Sequence, residues 1–120
     1  MRKIIFMFIF AFLLVNCKGT NNGTNNNSQP ALSIKTLITQ GARVVDVRTV
    51  EEFNSGHYEG AVNIPLHTVE ERISEFGEDK TKPIIVYCRS GNRSSQAKTI
   101  LESKGYTNII NGGGLSDMPN

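Results

Sequence analysis

The alternation of apolar and polar positions divides the chain near residue 31. Before that point an unbroken apolar run, Ile4 to Val15, gives way to "KGTNNGTNNNSQP", residues 18–30, which holds no large apolar side chain. Beyond it the pattern becomes periodic. Ile34, Leu37 and Ile38 stand at i, i+3 and i+4 behind Ser33 and ahead of Gly41, which predicts a short capped helix. "ARVVDVR", Ala42 to Arg48, is β-branched and predicts a buried strand. "EEFNSGHYEG" reads as turn, and "AVNIP" as a short strand stopped by Pro65. Thr68 and Glu71 have capping-box spacing before Val69, Ile73 and Phe76, which predicts a helix with one apolar face. "KPIIVY", Lys82 to Tyr87, is a continuous apolar run of the kind buried on both faces. A helix follows from about Ser94 to Lys104, with Ala97, Ile100 and Leu101 on one side and Gly105 at its end. "TNIIN" gives a last strand before "GGG". Strands alternating with helical segments predict an α/β fold, a central, mostly parallel sheet with helices on both faces.

The first 30 residues belong to no such core. Arg2 and Lys3 precede the apolar run, which is shorter than the roughly 20 residues a bilayer span requires. A basic start, a short apolar stretch and an abrupt stop are the marks of an export signal. "LLVNC" resembles a bacterial lipoprotein signal, in which Cys17 becomes the acylated first residue, although Asn16 stands where that pattern usually has Gly, Ala or Ser. Three parts are therefore expected: a signal over residues 1–17, a disordered Asn-rich tether over 18–30 reaching about 20 Å, and a folded domain over 31–120. The expected location is the periplasmic or cell-surface side of a membrane, held by a lipid anchor.

Composition narrows the chemistry. Without Arg2 and Lys3 the 13 basic residues fall to 11, equal to the 11 acids, and a neutral domain gives no footing for nucleic acid. With Cys17 acylated, Cys88 is the one thiol left, and no internal disulfide can form.

Cys88 opens "CRSGNRS" at the carboxyl end of the strongest strand, with a helix close behind, where open α/β sheets bind ligands. Loop amides and the first helical turn supply unsatisfied N–H donors above the sulfur. Such a field lowers a thiol pKa toward neutrality. Gly91 frees the backbone, while Arg89 and Arg93 attract an anion. Cysteine phosphatases space nucleophile and clamp as C-x5-R. Here the arginine falls at C-x4-R and Ser94 takes the clamp's place, so the cradle is too small for a phosphoryl group.

"CRSGNRS" looks like the active-site loop of the rhodanese family of sulfurtransferases, with its C-x-x-G-x-R pattern. "VVDVRTVEEFNSGHYEGAVNIP" is similar to that family's D-x-R, G-H and G-A-x-N-I-P elements, and "LESKGYTNI" and "NGGG" to its closing helix and glycines. The resemblance implies double displacement. Cys88 would take the sulfane sulfur of a small anionic donor such as thiosulfate and pass it to a thiol or cyanide. Arg89, Ser90, Gly91, Asn92, Arg93 and Ser94 would bind the substrate, and Asp46 and Arg48 would support the loop. No cofactor or metal is implied, and a monomer is expected. A membrane-tethered persulfide carrier or anion-binding module is the alternative. His57 is expected to be structural, His67 solvent-facing, and "EFGEDK" a solvated loop. The family commonly carries a tryptophan after its terminal glycines. This chain has none, and Met118 near that place is expected to pack the last segment more weakly.

Overall fold

A computed structural model of the chain describes residues 33–120. The expected signal, residues 1–17, the whole of the expected tether, 18–30, and the first two residues of the expected domain lie outside the described residues.

Four parallel strands form one sheet in the order β2-β1-β3-β4: β1 Arg43–Asp46, β2 Val62–Asn63, β3 Ile84–Cys88 and β4 Ile109–Gly114. β3 lies inside the sheet and is buried along its whole length, as its continuous apolar run dictates. Its side chains divide between two cores. Ile84, Val86 and Cys88 join Val45 and Val47 against Ala97 and Leu101 of α3, Asn92–Ser103. Ile85 and Tyr87 join Val44 on the opposite face, where α1, Ile34–Thr39, contributes Ile34, Leu37 and Ile38. Helices on both faces of a parallel sheet match the fold expected from the pattern.

Ser33 caps α1 by accepting the Thr36 N–H, and Gly105, with φ +94, follows the end of α3. Three expectations need correction. The first four residues of "EEFNSGHYEG" belong to a helix, α2, Val50–Asn54, opened by a reciprocal capping box between Thr49 and Glu52. The helix expected after Thr68 is replaced by two short 3₁₀ stretches, Leu66–Thr68 and Ile73–Phe76. Thr68 is the last residue of the first 3₁₀ stretch rather than a cap, and its hydroxyl donates back to the Pro65 carbonyl at 2.8 Å. The buried face survives the change, since Val69 and Phe76 both reach the core. Finally, β4 runs on through the glycines to Gly114, with a register shift opposite Val86 and Cys88. Such irregularities re-aim a strand beside a site.

Two smaller expectations also change. "EFGEDK" is more than a solvated loop: Phe76 is buried, and Lys80 donates to the Lys104 carbonyl at 2.6 Å, tying the segment to the end of α3. The last segment is well packed, because Met118 is only 6% exposed and contributes to the core against α1. A bare Gly112 makes room for it, since a Cβ there would come within 2.9 Å of the Met118 sulfur.

Candidate active site

The loop after β3 folds back over its own cysteine. Gly91, at φ +92, takes a left-handed conformation that a side chain would resist, and this turn opens α3 without a side-chain cap. Its N–H points back to Cys88 and donates to Sγ at 3.0 Å. Ser94, buried on the first turn of α3, brings its Oγ to 3.5 Å from the same sulfur. Cys88 is fully buried and unbridged.

Burial and hydrogen bonding pull the thiol in opposite directions. Burial pushes its pKa up, but the Ser94 hydroxyl and the amides of Ser94, Ser90 and Gly91 outweigh it and bring the thiol down to about 7. A packed, inert cysteine would show the first effect without the second.

The loop's position is set from β4. Gly114 pairs with Cys88, and a Cβ on Gly114 would lie 2.3 Å from the Arg89 carbonyl oxygen. Only a residue without a side chain admits the loop there. Asn111 adds a second hold, its Nδ2 donating to the Gly91 carbonyl at 3.1 Å.

The two arginines of the loop differ in role. Arg93 forms a two-pronged ion pair with Glu52 of α2, at 2.7 and 3.0 Å. That bond chiefly holds Glu52 down at about pKa 2. Part of the charge expected to attract substrate is thus spent on joining α2 to α3. Arg89 is exposed and borders an open groove of about 670 Å³ with Arg48, Glu52, Ser55, Leu115 and Ser116. Ser90 on the loop and Asn92 at the start of α3 are exposed.

Beneath the groove, Asp46 is a buried hub. It accepts both the backbone N–H and the guanidinium of Arg48, the latter at 2.7 Å, and the Tyr87 hydroxyl at 2.8 Å. Arg48 reaches on to the Gly56 carbonyl, and the Tyr87 hydroxyl accepts the Tyr58 N–H. Burial pushes the Tyr87 hydroxyl up to about 12, so it stays protonated and donates. Asp46 and Arg48 therefore tie the turn after α2 to β3, directly before Cys88. His57 sits apart from this chemistry. Its ring stacks on Phe53 with centroids 3.7 Å apart, and Nδ1 bonds the Phe53 carbonyl. His67 is exposed on a 3₁₀ turn. Among the described residues no group of three or more His, Cys, Asp and Glu side chains gathers to hold a metal.

Glu52, Tyr87, Asn111 and Gly114 were not singled out from the sequence. Thr49-x-x-Glu52 carried a readable capping signal. Asn111 and Gly114 stand in the "NGGG" that carried part of the resemblance, but their roles were not readable, because their partners are fixed by the register of β4.

The model of the rhodanese-like domain matches residues 31–117. The thiosulfate sulfurtransferase PspE of Escherichia coli is 47% identical over 74 residues, covering 62% of this chain and 71% of that protein. A sulfurtransferase of Allochromatium vinosum is 34% identical over 87 residues, covering 72% and 79%. Among solved structures, a rhodanese with anions from E. coli superposes with a TM-score of 0.61 at 45% identity, covering 64% of this chain and 91% of that one. The human single-domain sulfurtransferase TSTD1 also gives 0.61, at 30% identity, covering 67% and 82%.

Proposed function

Since the chain belongs to the rhodanese-like domain family, we propose that it is a sulfurtransferase working through a persulfide on Cys88. The donor is thiosulfate or a similar small anion carrying a sulfane sulfur. The Cys88 thiolate attacks that outer sulfur, a new S–S bond forms, and the donor's own S–S bond breaks to release sulfite with the bonding pair. The acceptor, cyanide or a thiolate, then attacks the outer sulfur of the persulfide and leaves as thiocyanate or a new persulfide. Cys88 returns as thiolate. The covalent intermediate divides one transfer into two easier steps.

One observation supports this reading above the rest: a buried thiol brought down to about 7 by donors of its own loop. Those donors face whichever sulfur carries negative charge, as an oxyanion hole faces oxygen. Arg89 at the groove edge gives the donor dianion a counter-charge on approach. Asp46 and Arg48 act by holding the floor of the site, and no step of the scheme calls for a general base once the thiol is ionised.

The test is a donor comparison on the purified protein. Thiosulfate with cyanide should turn over, while aryl phosphates should remain nearly untouched, because the C-x4-R loop leaves no room for a phosphoryl group. Faster turnover of an aryl phosphate would sink the assignment. Loading of one sulfur without turnover would favour the tethered carrier instead.

A further inference from the structure

Ser94 faces more acceptors than its one proton can serve. Its Oγ lies 2.7 Å from Asn111 Oδ1, 3.0 Å from the Gly91 carbonyl oxygen and 3.5 Å from Cys88 Sγ. A hydroxyl donates only one hydrogen bond. The Asn111 amide is not free to turn in response. Its Nδ2 donates to the Gly91 carbonyl at 3.1 Å, and its Oδ1 accepts the Gly113 N–H at 2.9 Å. A flip would set donor against donor and acceptor against acceptor. Asn111 therefore presents an acceptor to Ser94 and nothing else. The register of β4 fixes it there, opposite Val86, on the sheet face that carries Cys88 and α3.

We infer that Asn111 is a positioning residue for the sulfur chemistry, competing with Cys88 for the single proton of Ser94 and so limiting how strongly the thiolate is held. This inference rests on the reading of Cys88 as the nucleophile. When the thiolate is bare, the Ser94 O–H turns to Sγ and leaves Asn111 Oδ1 facing an oxygen lone pair. When Sγ carries a second sulfur, the charge resides on the outer atom and the O–H turns back to Asn111. No proton is transferred; only the hydroxyl rotates. The competition raises the energy of the bare thiolate relative to the protonated and persulfide forms. A thiolate held less tightly is more basic and a better nucleophile.

The titratable groups on the elements around the thiol are Arg43 and Asp46 in β1 and Arg48 after it, Tyr87 in β3, Arg89 in the loop, Arg93, Lys98 and Glu102 in α3 with Glu52 of α2 on Arg93, and Asp117 after β4. Replacing Asn111 by leucine or alanine changes none of their charges. Asn111 is itself exposed, so neither replacement opens the core.

The test uses the full chain without any sulfur donor, so it does not depend on turnover. Alkylation of the Cys88 peptide by iodoacetamide is followed by mass spectrometry across pH, which gives the midpoint of that thiol alone. Asn111→Leu should move the midpoint down by roughly half to one pH unit, the scale of one neutral hydrogen bond gained by the thiolate. Asn111→Ala should do the same and serves if the leucine variant does not fold. Ser94→Ala should move it up. In the Ser94→Ala background, Asn111→Leu should leave the midpoint where Ser94→Ala alone put it, since the shared proton is gone. An upward or absent shift in the Asn111 variants, or equal shifts in both backgrounds, overturns the inference. Absent sulfur transfer in a chain that shows these shifts would instead count against the proposed function.

Discussion

At the residue scale the molecule is organised around one sulfur atom. Cys88 has a lowered pKa despite its burial, because the Ser94 hydroxyl and the amides of Ser94, Ser90 and Gly91 stabilise the anion that burial disfavours. The folded state therefore holds the thiolate more readily than the unfolded chain, whose thiol titrates near 8.5. The stability this contributes is fully present above that unfolded value and is lost as pH falls through about 7. Reactivity follows the same curve. Sulfur loading from thiosulfate should rise with pH around a midpoint of about 7 and then level off, as measured by single-turnover sulfite release. A rise centred near the free-thiol value would mean that the loop amides do not act on the sulfur.

At the scale of elements, β4 matters more to the site than its sequence suggests. Gly114 has an ordinary φ of −91, so alanine is acceptable to the backbone there. The obstacle is the Arg89 carbonyl, 2.3 Å from where a Cβ would stand. Gly114→Ala should displace the first step of the loop, costing about 1–3 kcal/mol of stability as overpacking does, and most of the transfer rate. Thermal unfolding and a turnover assay would check both, and a neutral result would remove β4 from the account. The same element shows where sequence reading ends. β3 and α3 were legible because apolar runs and 3.6-residue periodicity report burial directly. Cys88 was legible because strand end, glycine and helix start occur within seven residues. Asn111 and Gly114 act on that loop across a gap of about twenty residues, through a parallel register that no local pattern encodes. Arg93 was legible as a loop cation but not as the partner of Glu52, because α2 was read as turn.

At the scale of the whole molecule, the folded domain accounts for the chemistry, and the first 30 residues bear on where it happens. Arg2, Lys3, the apolar run to Val15 and Cys17 support a proposal of export and lipid anchoring. Cys17→Ser should release the domain from the membrane fraction or leave the signal uncleaved, read by fractionation and intact mass. Unchanged partitioning and mass would count against the anchor. The central claim is tested most directly by mass spectrometry of the Cys88 peptide after incubation with thiosulfate and removal of excess donor. The account predicts the added mass of one sulfur atom, lost again on exposure to cyanide, with neither loading nor turnover in Cys88→Ser. An unmodified Cys88 peptide in protein that still turns thiosulfate over, or undiminished turnover in Cys88→Ser, would contradict it.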